Sequence, residues 1–305
     1  MSERVASLRS LVLIRPELEP IRLDGSVEDA VLLTADGLHL SARWWRRPER
    51  ARAAVVLVHG FGASKEDGGI RALASDLHGA GFDVLTYDAR GHGASEGNCT
   101  VGGEERLDVA AAAALAAEGG QPVVLVGVSM GAIAVFCHVA SMADEARPAP
   151  AASLAASPVS PASPPVGGGG TPIAGIVAVS APARWRMSPS LVGLAIVALT
   201  RTKLGRWVML HRLGVRINTG WVLPDPPLSA ISHMGVPVAL VHGRRDRLIR
   251  AAEARLLFDG AAEPRRLDVV ARMGHGIDDA ARGAVVEAID WVMDVPSGEV
   301  PAANG

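Results

Sequence analysis

V-V-L-V-G-V-S-M-G-A-I-A-V-F-C-H-V-A, running from Val123 to Ala140, reads as a strand, a sharp turn and a helix in immediate succession. The run Val123, Val124, Leu125, Val126 has the length and character of a buried strand. It ends in Gly127-Val128-Ser129-Met130-Gly131, and an apolar helical segment follows without a linker. So tight a turn strains the backbone at its apex and leaves no room for side chains beside it, which glycines two residues before and after Ser129 accommodate. The serine hydroxyl is lifted clear of the sheet, and the first N–H groups of the helix point at whatever it attacks. Ser129 is therefore the candidate nucleophile. A second G-x-S-x-G, Gly93-Ala94-Ser95-Glu96-Gly97, follows the polar loop Asp88-Ala89-Arg90-Gly91-His92, with no strand entering and no helix leaving. Ser95 is read as a loop serine.

Outward from this turn, strands alternate with helices. Val31–Leu33 and Leu38–Trp45, joined through Asp36-Gly37, read as an antiparallel hairpin. Ala53 to Val58 is a continuous apolar run, as expected of a strand covered on both faces, and His59-Gly60-Phe61-Gly62 follows it. A helix over about 69–80, a strand over 82–87 ending at Asp88, and a small-residue helix over about 104–117 lead to the elbow. Beyond it come strands at 173–179, 236–242 and 266–270, with helices over about 251–261 and 278–293. The alternation predicts a mostly parallel sheet flanked by helices, with ligands beyond the carboxyl ends of its strands. On that rule the His59 loop, the Asp88 loop and Ser129 converge.

Two stretches break the alternation. The Pro/Gly-rich segment P-A-P-A-A-S-L-A-A-S-P-V-S-P-A-S-P-P-V-G-G-G-G reads as a disordered insertion on the face opposite the site. Residues 181–234 leave a strand on the active face and return only before the next. They hold Trp185, Trp207, Trp221, the apolar run Leu191 to Leu199 and the basic residues Arg201, Lys203, Arg206, Arg212 and Arg216. This reads as a small helical cap, two or three helices ended by Pro224, Pro226 and Pro227, inserted after the sixth strand. Its apolar face is expected to shape an acyl-binding pocket, with weak membrane-surface or lipid contact through the same helix as a secondary reading. The expected organisation is a leader at 1–27, core at 28–143, spacer at 144–171, a core strand within 172–180, cap at 181–234, core at 235–295 and a tail at 296–305.

A net charge of −2 gives no electrostatic footprint for nucleic acid. The leader mixes Arg and Glu through Leu-Val-Leu-Ile and lacks a signal-peptide pattern, so a cytoplasmic protein is expected. Cys99 and Cys137 match no metal spacing and read as a loop thiol and a small core residue.

A serine hydroxyl needs a base, and the base an orienting acid. His275, in Met273-Gly274-His275-Gly276, stands in the loop between the last strand and the last helix, with glycines that free its ring to reach the site. Asp246, in V-H-G-R-R-D, follows the preceding buried strand, with Asp225 and Asp268 as competitors. The chain order is then Ser, Asp, His. The backbone N–H groups of Met130 and Phe61 are the candidate oxyanion donors.

With V-V-L-V-H-G-F-G-A-S, F-D-V-L-T-Y-D-A-R-G-H-G-A-S-E-G, G-V-S-M-G, V-H-G-R-R-D and G-H-G, the chain resembles the α/β-hydrolase superfamily of serine hydrolases, nearest the monoacylglycerol-lipase-like and esterase branch. The resemblance spans about 30–293. It implies the α/β-hydrolase fold, nucleophile Ser129, acid Asp246, base His275, oxyanion donors Phe61 and Met130, and no metal or organic cofactor. Asp88, Arg90 and His92 match a loop that orders the active-site wall. The expected function is hydrolysis of a small-molecule carboxylic ester, or a thioester, through an acyl-enzyme. The same three residues could serve C–C, amide or perhydrolase chemistry, and a non-catalytic ligand-binding protein on this fold is the reading from another class.

Overall fold

The computed structural model describes residues 27–146, 173–185 and 199–295. The hairpin comes first: β1 (Val27–Leu33) pairs antiparallel with β2 (His39–Trp45). The expected leader therefore ends one residue too late, because Val27 already pairs with Trp45. Then follow β3 (Ala54–Val58), α1 (Gly68–Gly79), β4 (Asp83–Tyr87), α2 (Glu105–Ala117), β5 (Val123–Val128) and α3 (Met130–Ala146). After β6 (Ile173–Val179) the chain enters the cap, with α4 (Lys203–Val208), a wider π-type turn over Met209–Leu213, and α5 (Pro227–Ala230). It closes with β7 (Val238–Gly243), α6 (Ala251–Gly260), β8 (Arg265–Val270) and α7 (Asp279–Asp294).

These strands form one sheet in the order β1-β2-β4-β3-β5-β6-β7-β8. β2 runs antiparallel to β4, and from β4 onward every pairing is parallel. The continuous apolar runs are explained by the period of two. Ala54, Val56 and Val58 of β3, with Leu125 of β5, pack among residues of α2 and α3 such as Val109, Ala112 and Phe136. Val55 and Leu57, with Val124 and Val126, face Leu73 and Leu77 of α1 and Val285 and Ile289 of α7. Both faces are covered, so neither parity tolerates a polar residue. Each fully buried Leu or Phe contributes about 1.5–3 kcal/mol.

The register brings the strand ends together. Val58 pairs with Gly127, Val128 with Val179, Val179 with Val241 and Gly243 with Val270. The loops after β3, β5, β6, β7 and β8 therefore open on one edge of the sheet.

Two expectations about the helices are corrected. α3 continues to Ala146, because Asp144, Glu145 and Ala146 are compatible with another turn, so the expected spacer begins inside a helix. The rest of the spacer and most of the run Leu191 to Leu199 lie outside the described residues. The prolines do not end the cap helices. Pro227 opens α5, with Pro226 as its flanking residue, since a first-turn position loses nothing by lacking an N–H. The chain reaching them is extended and tied to the body: Cys99 N–H donates to the Arg216 carbonyl (2.7 Å), Asn218 N–H to the Cys99 carbonyl (2.9 Å) and Trp185 Nε1 to the Pro224 carbonyl (2.6 Å). Cys99, in a loop as expected, is thereby fully buried, whereas Cys137 on α3 is only partly so. Burial pushes the Cys99 thiol well up and that of Cys137 to about 11.

Candidate active site

Ser129 sits at φ +53°, in the left-handed region that a non-glycine residue occupies at a cost. The strain is held by hydrogen bonds. Its N–H donates to the Val179 carbonyl at 2.8 Å, and its carbonyl accepts from Ala132 N–H at 3.0 Å. The flanking glycines are required by contact: a Cβ at Gly127 would lie 2.5 Å from Ala132 Cα, and one at Gly131 would lie 2.4 Å from the Val58 oxygen. The strand, elbow and helix thus interlock at the point where the serine emerges.

His275 enters from the loop between β8 and α7. Its Nε2 is 3.1 Å from Ser129 Oγ and its Nδ1 is 2.8 Å from Asp246 Oδ2. Asp246 is buried in the turn after β7, where its Oδ1 accepts the N–H groups of Leu248 (2.9 Å) and Ile249 (2.8 Å). With Oδ1 so engaged, Oδ2 faces the imidazole. The tautomer carrying hydrogen on Nδ1 satisfies both ring contacts and leaves the Nε2 lone pair on the serine hydroxyl. His242 lies beneath, with Nε2 bonded to the Ile249 carbonyl (2.9 Å) and 3.6 Å from Asp246 Oδ2. Of the competing acids, Asp268 pairs with Arg266 at 2.8 Å and Asp225 is exposed on the cap exit. The arginines around Asp246 do not pair with it among the described residues.

Phe61, Asp67, Ile70, Ser129, His275 and Ile277 line a cleft of about 120 Å³. A Cβ at Gly60 would be 3.4 Å from Ser129 Cβ, so the loop carrying Phe61 abuts Ser129. Met130 opens α3, in the first turn where N–H groups have no intrahelical partner. Two buried histidines fix the Phe61 loop. His59 Nε2 accepts from Ala89 N–H (3.0 Å) while its Nδ1 bonds the Gly60 carbonyl (2.8 Å), and His92 Nε2 accepts from Gly62 N–H (3.3 Å). Burial depresses both, His92 to about 3, so both are neutral acceptors at neutral pH. Asp88 anchors the adjoining turn. Burial opposes its charge, but the Ala94 N–H and Lys65, whose Nζ is 2.9 Å away, outweigh that and hold its carboxyl low. Arg90 joins Asp108 (2.7 Å) to Asp36 of the hairpin turn (2.9 Å). Ser95 is buried with its hydroxyl on the Asp88 carbonyl, a structural serine as expected.

Sequence reading passed over Ser180 and Asp278, which hold the His275 loop from two sides. Ser180, itself at φ +50°, accepts the Gly276 N–H at 3.2 Å, and Asp278 accepts the Gly274 N–H at 2.8 Å while capping α7. The signal for Asp278 was legible as a helix cap, but Ser180 ends a strand without any motif. Among the described residues there is no cluster of metal-ligand type, and no helix is long and apolar enough to cross a membrane.

Comparison with known proteins follows the same outline. A family model described as the alpha/beta hydrolase family matches residues 55–288. An esterase of Pyrococcus furiosus has a TM-score of 0.62 at 19% identity, covering 91% of this chain and 98% of its own. An esterase of Exiguobacterium antarcticum has a TM-score of 0.61 at 15% identity, covering 88% of this chain and all of its own (100%). At these identities the likeness is one of fold. A protein of Mycobacterium tuberculosis described as uncharacterised is 28% identical over 284 residues, 89% of this chain and 82% of its own length.

Proposed function

The chain belongs to the alpha/beta hydrolase family, and from that premise we propose that it is a serine hydrolase cleaving a carboxylic ester, or a thioester, through an acyl-enzyme on Ser129. The observation that supports this reading most is the contact chain from Asp246 through His275 to a serine at φ +53° on the floor of a cleft.

On this reading His275 Nε2 takes the proton as Ser129 Oγ attacks the ester carbonyl carbon. Asp246 steadies the imidazolium that forms. The carbonyl oxygen becomes an oxyanion against the amides of Met130 and Phe61, each such donor contributing about 10²–10³ in rate. Collapse breaks the bond to the alcohol oxygen (or thiol sulfur), which leaves with the proton from His275. Water, deprotonated by the same nitrogen, attacks the acyl-serine and releases the acid. The esterase neighbours in fold support the ester as the bond cleaved.

The test is labelling with a fluorophosphonate probe, comparing the wild type with Ser129→Ala. Labelling of wild type alone, followed by burst release of alcohol from a short activated ester, is the expected result. Equal labelling of both proteins would overturn the assignment of Ser129.

A further inference from the structure

The cap carries a surface that the ester chemistry does not use. From Ala181 to Pro224 the sequence has six arginines and one lysine and no aspartate or glutamate, in a chain whose net charge is −2. Within this stretch α4 and the turn after it present Leu204, Trp207 and Leu210 to solvent, 72%, 57% and 43% exposed. Leu204 and Trp207 are one helical turn apart, and the Trp207 ring leans on His211 at 4.6 Å. Arg201, Lys203 and Arg212 stand exposed around them, and among the described residues none of the three meets a carboxylate. Arg201 instead lies 4.4 Å over the Trp221 ring. Met209, Val215 and Ile217, all buried, hold the element to the body, so the outward face is outward by construction.

We propose that this face docks on the surface of an anionic lipid bilayer, with Leu204, Trp207 and Leu210 entering the interface and the arginines and lysine meeting lipid phosphates. Charge decides the occupant. Basic side chains without a carboxylate partner among the described residues, around a tryptophan and two leucines, complement a negatively charged surface that is apolar just beneath. A stable protein partner would cover about 800 Å² of each surface, far more than three side chains on a short element present. The geometry also gives docking a consequence. Leu213, at the end of the same element, would lie 3.6 Å from a Cβ at Gly62, the residue after Phe61. The docked face therefore borders the mouth of the Ser129 cleft, and a lipid-borne ester would meet it without crossing bulk water.

The experiment is flotation of the full-length protein with vesicles of phosphatidylcholine alone, or with roughly a third phosphatidylglycerol. The variants are Leu204→Ser with Trp207→Ser, and separately Lys203→Glu with Arg212→Glu. Thermal melting of both, and turnover of a short soluble ester by both, are expected to match wild type. Binding to the anionic vesicles, weakened by salt and reduced about tenfold or more in each variant, supports the proposal. Absence of wild-type binding, or binding that neither variant changes, overturns it. So does self-association in solution that Trp207→Ser abolishes, since the face would then join two copies of this chain. Because vesicle binding is read without catalysis, it stands or falls apart from the assignment of Ser129.

Discussion

At the scale of single residues, Asp246 reaches Ser129 only through His275, and its two oxygens are divided between backbone and imidazole. Asp246→Asn keeps the size and the contacts of Oδ1 but offers His275 the wrong partner. It is expected to lower kcat about 10⁴-fold while leaving the melting temperature near wild type, read by ester turnover and calorimetry. Ser180→Ala removes one bond from the His275 loop, the one to Gly276 N–H. It should cost a few-fold in kcat with KM unchanged, roughly what one neutral hydrogen bond contributes; an unchanged kcat would mean Asp278 suffices. On the cleft wall Asp67 caps α1 through Oδ1 and has no cationic partner among the described residues. Asp67→Asn preserves the cap, since the two residues cap equally well. It should raise kcat/KM for an ester bearing a second carboxylate, relative to a neutral ester of the same length, by about fivefold. The three side chains that the structure brings into contact were legible as candidates in the sequence: Ser129 and Asp246 each follow a buried strand at a turn, and His275 stands between glycines in the loop after β8. Ser180 was not, because nothing local distinguishes it from any serine ending a strand. Its left-handed backbone and its reach to Gly276 exist only once β5, β6 and β7 are in register.

Among elements, the elbow is the one whose sequence and geometry agree most closely. A glycine inside a helix usually gains stability when replaced by alanine, by about 0.4–1 kcal/mol. Gly131 is expected to do the opposite, since a Cβ there meets the Val58 oxygen at 2.4 Å. Gly131→Ala should destabilise by about 2–4 kcal/mol in urea unfolding. A neutral result would mean α3 can withdraw from β3 at no cost. The core strands were readable because burial on both faces writes an unbroken apolar run, and their helices because their small and apolar residues recur on one side. The cap was read only coarsely. Its prolines serve equally as stops or as first residues, and which applies depends on where the chain arrives from, which is decided by contacts such as Trp185 with Pro224. The end of α3 was missed for a related reason: Ala143 to Ala146 has no stop signal, and only the residues beyond look unlike a helix.

For the molecule as a whole, buried histidines set a pH limit. His92 and His138 are pushed by burial to about 3 and about 4, against an ordinary value of 6.5. Above that ordinary value both are neutral folded or unfolded, and their contribution is fully present. As pH falls below it, the unfolded chain takes up protons that the folded chain refuses. Stability is then lost progressively toward pH 4 and pH 3, at up to about 1.4 kcal/mol per pH unit for each group. Urea midpoints at pH 7 and pH 5 should differ accordingly, with a shallower slope in His92→Asn. Fold class was present in the order of the apolar runs, and the basic character of the cap in its composition. The meeting of His59 and His92 behind the Phe61 loop was not, because residues so far apart in sequence meet only through the pairing of β3 with β4.

The positions of the three site residues along the chain have a consequence in time. Synthesis delivers the β5–α3 elbow first, then the cap, then Asp246, and His275 only with the loop that Asp278 of α7 pins in place. A nascent chain halted before His275 and α7 emerge from the ribosome holds Ser129 without the base that the proposed chemistry needs. On the proposed chemistry the protein is thus inert to its own substrates while being translated, and its first turnover certifies that the last helix has docked.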